Sequence, residues 1–412
     1  SRFATVVTPD VDPQVRSAFL ATIEAAVRTK NANTMPGRRH MVNAAEFAMV
    51  TERHWDLSIW QLEGKPETWG AQLDSRLERE PVFALLSGLT SDLWDPVHRF
   101  CERRHIPCWF PSVPLAPDDA DEGGYSLYFQ KGVTLEAELI ASALNGAAAP
   151  IGKVVQIIDG KAVAARQGAE RLKAILERSD ARMEMHVLKD LSDRSMAEAA
   201  RAIEGAGKVV VWAGEEALTR LSTTVRVRRS GVFLSSVLAR PERLKLPQSW
   251  GSVLVAYPYE HPARRAINVS YFRHWIGRAG VPVLDEPLQN EAYFAVSFLS
   301  ETIAEMLGNL HRDYLIERAE TMLGRRESRK AEDEARDAQL LRRYATQHPM
   351  TVHGAEGRRL GSREGTTVYP ALSLGPGQRF ASRGGYVIAL ASLTSAGPIP
   401  RWSVPNQEKS TP

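Results

Sequence analysis

Four residues between positions 98 and 108 have the types that bind metal or react: His98, Cys101, His105 and Cys108. Their short spacings are those of a zinc site. The same two cysteines, the only ones in the chain, also admit a disulfide or two buried thiols. The elements that would carry them bear on this choice. Val82–Leu86 is an apolar run too short for a helix, bounded by Pro81 and Gly88, which reads as a strand buried on both faces. From Ser91 to Arg104, Leu93, Trp94, Val97, Phe100 and Cys101 recur at helical spacing, and Ile106–Phe110 is a second apolar run. The stretch Pro81–Lys131 is therefore built on a β-α-β unit, with parallel strands and a right-handed crossover. A strand residue such as Cys108 points into the core rather than at a helix-borne metal, so no metal is expected there; disulfide and buried thiols both stay open.

Other chemistry is poorly represented. The chain has no G-x-S-x-G, no H-E-x-x-H, and no G-x-G-x-x-G between a strand and a helix. Acids and histidines are scattered, with no pair set in one turn at a strand end. The run GPGQRFASRGG (375–385) lacks the GK[ST] ending of a phosphate loop and is not followed by a helical pattern, so it reads as a turn. Neither an enzyme nor a cofactor is expected.

The 412 residues hold more than one domain by the usual ~150 residues each. Hydrophobic residues at 43% and charged residues at 25% are ordinary globular values. A net charge of +3, spread along the chain, gives no ground for a nucleic-acid partner. No run reaches the ~18 apolar residues of a membrane span. No signal peptide opens at Ser1, so export would require that the targeting segment has already been removed.

Strand and helix patterns alternate. Phe3–Val7, Leu57–Leu62, Val82–Leu86 and Ile106–Phe110 read as strands, with helices from Asp12 to about Thr29, Met41–Glu52, Glu67–Arg79 and Ser91–Arg104 between them. After Tyr125–Gln130 the pattern restarts. Helix Val133–Leu144 leads to KVVQIID (153–159), and strands Met183–Leu188, KVVVWAG (208–214), GVFLSS (231–236) and SVLVAYPY (252–259) follow with helices between. Pro262–Arg278 reads as one amphipathic helix and Glu291–Leu307 as a helix deep in a core. Residues 325–366 form a charged helical insertion and a Gly-rich linker. Strands return at VYPALSL (368–374) and GGYVIAL (384–390), and the tail 396–412 is expected to be loose. The fold class is thus α/β, with two parallel-sheet lobes covered by helices.

The order of these elements resembles the type I periplasmic solute-binding proteins of ABC transporters, particularly the branched-chain amino acid and amide receptors. Four segments carry the likeness: PVFALLSGLTSDLWDPVHRFCERRHIPCWFPSV, KVVQIIDGKAVAARQGAERLKAIL, GSVLVAYPY and YPALSLGPGQRFASRGGYVI. The resemblance implies two Rossmann-like lobes joined by three crossovers, near Tyr125–Lys131, near Tyr257–Pro262 and within 325–367, closing on a ligand by hinge motion. Lobe 1 would be 1–127 plus 260–324, and lobe 2 would be 128–259 plus 367–395. It further implies a periplasmic location, a small-molecule ligand and an ABC permease partner.

By position, the resemblance places Leu89, Thr90 and Ser91 in the loop that holds a ligand carboxylate, and Ser112 and Val113 in a second such loop. Ser91 can equally cap the helix it opens. Pro114 stands where amino acid receptors have a hydroxyl residue, Ala165 or its neighbour where a tyrosine stacks, and Ser235 and Ser236 where an acid meets the ligand's ammonium. These departures imply a less charged or aromatic ligand. Tyr128, Trp212, Tyr257 and Tyr259 are expected to supply stacking surface, and Trp94 is expected in the core. The full candidate set is Leu89, Thr90, Ser91, Ser112, Val113, Tyr128, Trp212, Ser235, Ser236 and Tyr257. The competing expectation is a sensor or accessory protein that reuses the fold to dock a partner.

Overall fold

The computed structural model describes residues 1–33, 54–147, 150–177, 179, 181–227, 231–244, 246–247, 250–306, 309–328, 366–393 and 399–405. The expected helix 41–52 and most of the insertion 325–366 lie outside them.

Five parallel strands make the sheet of lobe 1: β1 (Arg2–Val7), β2 (Asp56–Gln61), β3 (Ala84–Leu86), β4 (Cys108–Trp109) and β5 (Ser126–Leu127), in the order β2-β1-β3-β4-β5. Helices α1 (Pro13–Asn33), α2 (Trp69–Arg79) and α3 (Asp95–Arg104) connect the first four strands. Six strands make the sheet of lobe 2: β6 (Lys153–Asp159), β7 (Arg182–Leu188), β8 (Lys208–Trp212), β9 (Gly231–Ser235), β10 (Val253–Tyr257) and β11 (Tyr386–Ala389). Their order is β11-β10-β9-β8-β6-β7, parallel except for the β10–β11 pair. Helices α4 (Val133–Asn145), α5 (Val163–Leu176), α6 (Asp193–Ile203), α7 (Glu215–Thr224) and the single turn α8 (Ser236–Ala239) belong to this lobe. The near-continuous Val and Ile of β6 and β8 fit strands covered on both faces.

Helix α3 starts at Asp95 and not at Ser91, because Thr90 donates its hydroxyl to the Leu93 carbonyl and accepts the Asp92 amide, folding 90–94 into a turn. Trp94 is the residue before the helix, so Ser91 does not cap it. The expected helix 262–278 divides into α9 (Pro262–Asn268) and α10 (Ser270–Arg278), and α11 (Glu286–Glu305) follows, with Ala292, Ala295, Phe298 and Leu299 fully buried. A further helix spans 312–328.

Residues 368–374 are not a strand. Val368, Tyr369, Leu372 and Leu374 insert into the core that α1 and α11 share, so this segment belongs to lobe 1 rather than lobe 2. Phe380 stacks on Tyr128 in the other lobe 1 core, and only at β11 does the chain enter the second sheet. The tail is also tied down over part of its length: Ser403 and Gly385 exchange two backbone hydrogen bonds of 2.9 Å, and Trp402 packs edge-on against Tyr386.

Two crossovers pass through tight quarters. Gly132 has φ +63°, and a Cβ there would lie 2.0 Å from the Pro114 carbonyl oxygen. Gly385 lies so close to the second crossover that a Cβ would meet Leu139 at 2.5 Å and the Tyr257 carbonyl oxygen at 2.9 Å. Glu260 links these strands, accepting a hydrogen bond from the Tyr386 hydroxyl at 2.9 Å while its amide donates to Val368.

Candidate functional site

The carboxyl ends of both sheets face a common cleft of ≈ 380 Å³. Loops after β3, β4 and β5 form one wall, and loops after β6, β8, β9 and β10 form the other. Leu89, Thr90, Ser91, Ser112 and Val113 line it from lobe 1, and Ser236 and Tyr257 from lobe 2, where the sequence places them. Ser235 is fully buried behind Ser236.

Tyr128 and Trp212 do not reach the cleft. Tyr128 is buried in lobe 1, its hydroxyl 3.0 Å from His98 Nδ1. Trp212 is buried beneath α5, donating its indole N–H to Gln156 Oε1 at 2.7 Å, with Gly168 so close that an added Cβ would lie 2.8 Å from the ring. Both sit at the ends of sheet strands, but period-two alternation turns their side chains into the helix layer. Ala165 is likewise buried, and Ala162 is the residue of that loop that lines the cleft. Trp94 is in the core as expected.

The aromatic surface comes instead from a row that crosses the hinge. Phe129 stacks on Tyr369 at 5.6 Å, Tyr369 tilts against Tyr259 at 5.4 Å, and Tyr259 meets Tyr257 edge-on at 5.5 Å. All four rings line the cleft. Tyr259 packs against the cores of both lobes.

Four of the protein's own carboxylates accept hydrogen bonds from segments around the cleft. Asp10 accepts the Ser91 amide at 3.2 Å. Asp92 reaches from lobe 1 to the first turn of α5 and accepts the amides of Val163 and Ala164 at 2.9 and 2.7 Å. Glu136, on α4, accepts both serine hydroxyls, Ser235 and Ser236, and the amides of Ser236 and Val237 at 2.8 and 2.9 Å. Glu291, on α11, accepts the Ser112 hydroxyl at 2.6 Å and the Tyr369 hydroxyl at 2.5 Å. Burial pushes Glu136 and Glu291 up to about 7 against the pull of these donors, and Asp285 adds to the rise at Glu291. Burial also raises Asp92. Each carboxylate thereby occupies amides or hydroxyls of segments that follow the strands.

None of these acids stands out in the sequence as a site residue. Glu136 and Glu291 each interrupt an apolar helical face, which is the one signal that could have marked them. Gln130, Phe129 and Tyr369 gave none, since their positions depend on how the crossovers fold.

The His98, Cys101, His105, Cys108 set does not converge on a metal. Among the described residues no group of three or more His, Cys, Asp or Glu is placed to hold one. His98 bonds Ser126 and Tyr128, His105 stacks on Tyr125 at 4.8 Å, and both cysteines are free thiols in the lobe 1 core. Burial and the neighbouring Cys108 thiol push Cys101 well above its ordinary value, which makes it a poor nucleophile. Lys131, at the first crossover, pairs with Asp121 at 2.6 Å.

No protein-family model and no curated protein sequence matches the chain. Solved structures do. A possible leucine/isoleucine/valine-binding protein from Rhodopirellula baltica aligns over 96% of this chain and 97% of its own, with a TM-score of 0.61 at 12% identity. A branched-chain amino acid ABC transporter protein from Thermus thermophilus with bound valine aligns over 94% and 93%, with a TM-score of 0.60 at 10% identity. A solute-binding protein of an ABC transporter from R. palustris, in complex with benzoate, aligns over 77% and 85%, with a TM-score of 0.54 at 12% identity. Two mostly parallel sheets flanked by helices, together with the likeness to these structures, give this chain the type I periplasmic binding protein fold.

Proposed function

We propose that this protein is a solute receptor that captures a small organic molecule between its two lobes and presents it to an ABC permease in the periplasm. The observation that carries the reading is the ≈ 380 Å³ cleft with its aromatic row, a concave, partly apolar site bounded by loops from both lobes. Its role is binding rather than catalysis: Glu291, the buried carboxylate at the cleft, is engaged by the Ser112 and Tyr369 hydroxyls, which hold it in place. Among the described residues no helix is long and apolar enough to cross a membrane. Leu89, Thr90, Ser91, Ser112, Val113, Ser236 and Tyr257 would contact the solute or shape its walls.

One observation favours the second reading, a sensor or accessory protein that docks a partner. Asp92 joins the lobes through two amides of α5, so closure has an internal latch. A thermal-shift panel of amino acids, amides, aromatic acids, amines and sugars separates the two. A dose-dependent rise in melting temperature for one chemical class supports capture of a solute by mass action on the native state. Flat curves across the panel would overturn that reading in favour of partner docking.

A further inference from the structure

The cleft is poor in free donors and rich in acceptors. The loops expected to hold a carboxylate have spent their groups: Ser91 N–H on Asp10, the Thr90 hydroxyl on Leu93, the Ser112 hydroxyl on Glu291, and the Ser236 hydroxyl and amide on Glu136. The amides that open α5 are spent on Asp92. Among the described residues Arg240 is the one cation lining the cleft, and its guanidinium lies 3.4 Å from the Asp285 carboxylate. An anionic ligand would meet carboxylates on both walls.

The acceptors are not spent in the same way. Glu291 lines the cleft, and the partners of its carboxylate are two neutral hydroxyls, so its charge has no counter-ion there. Gln130 is a second, independent indication. It lines the same wall, is 5% exposed, and bonds the Tyr369 hydroxyl through its amide, yet its Oε1 has no hydrogen-bond partner among the described residues. A buried acceptor left without a donor is costly, and a ligand N–H would satisfy it. Phe129, Tyr369 and Tyr259 line the same cleft, and aromatic rings attract cations.

We infer that the solute is a small organic cation carrying N–H donors, a protonated amine, guanidinium or amidinium, seated on the aromatic row with its N–H groups toward Glu291 and Gln130. This rests on the solute-receptor reading. It departs from the less charged ligand that the loop sequences imply, because the acid that meets the cation comes from α11 of lobe 1 and not from the loop after β9.

Three molecules of one shape and three charges test it: benzamidine, benzamide and benzoate, titrated calorimetrically into the full chain at pH 7.5. Benzamidine is expected to bind at least about tenfold more tightly than the other two, the usual worth of a charge-assisted hydrogen bond. Glu291→Gln is expected to weaken benzamidine about tenfold or more and to narrow the gap to benzamide. Gln130→Leu, which keeps the carboxylate, should weaken it a few-fold and carries the test should Glu291→Gln not fold. Benzoate or benzamide binding as well as benzamidine would overturn the cation inference and leave the receptor reading standing. Benzamidine bound equally by the wild type and both variants would overturn it too, by placing the ligand elsewhere. No binding of the three, nor of agmatine or tyramine, would overturn it, and a flat wider panel would then remove the receptor reading as well.

Discussion

Lobe 1 and lobe 2 each bury a glutamate that accepts side-chain hydroxyls, and the two glutamates do different work. Glu136 in lobe 2 accepts four hydrogen bonds, two of them from backbone amides that open the turn α8. Both of its oxygens are engaged by the protein, Oε1 by three donors and Oε2 by one, and it does not line the cleft. Glu291 in lobe 1 accepts two, both from hydroxyls, and its carboxylate borders the cleft. The same residue type, buried in both lobes and with the same rise to about 7, is a structural clamp in one lobe and an acceptor bordering the cleft in the other. Burial and charge alone therefore do not identify a binding residue. What separates the two is whether the remaining acceptor capacity faces protein or void.

The largest effect expected from this comparison is on stability. Glu136→Ala strands two amides and two hydroxyls in a closed interior, and should destabilise the fold by ~3 kcal/mol. Glu291→Ala should cost about half as much, because it leaves two hydroxyls without their acceptor rather than two hydroxyls and two amides. Denaturant midpoints of the two variants decide it, and equal losses would break the comparison.

A similar effect is expected from pH. Both folded values, about 7, lie above the ordinary 4.5, so proton uptake favours the fold. The contribution is fully present below about 4.5 and is lost as pH rises through about 7, by up to ~3 kcal/mol for each group. The melting temperature of the wild type should accordingly fall more between pH 5 and pH 8 than that of Glu136→Gln/Glu291→Gln. A parallel fall in both proteins would show that neither carboxylate is buried in its charged form.

The smallest effect falls on the bond that joins the lobes. Asp92 acts as a cap for α5 from across the cleft, and Asp92→Ala should cost ~1 kcal/mol, the usual value of a lost helix cap. The distinguishing readout is shape: the variant should show a larger radius of gyration by small-angle scattering, as the lobes part about Gly132 and the Tyr257–His261 crossover. An unchanged radius would show that the aromatic row, rather than Asp92, holds the lobes together.

Much of the fold is legible in the chain. KVVQIID and the Val run at 208–212 cannot be amphipathic helices, and they alternate with helical patterns in a way that only a covered parallel sheet accommodates. The turn residues after the strands were legible too, so Leu89 to Ser91 and Ser112 were found at the cleft. What failed were readings that needed the direction of a side chain or the partner of a donor. Tyr128 and Trp212 end strands, as a site residue should, but a one-residue difference in register decides between cleft and core. VYPALSL has the composition of a strand, yet it finds its burial in the lobe 1 core instead of a sheet.

Local periodicity and turn chemistry thus determined the layers, the strand ends and the loops that border the cleft, because these depend on residues close together in the chain. The tertiary structure alone decided what those loops can bind. Glu136 meets Ser236 across 100 positions, Glu291 meets Ser112 across 179, and Asp92 meets Ala164 across 72. Whether a serine or an amide is free for a ligand depends on which distant carboxylate reaches it, and hydrogen-bond pairing over such separations leaves no pattern in the sequence near either partner.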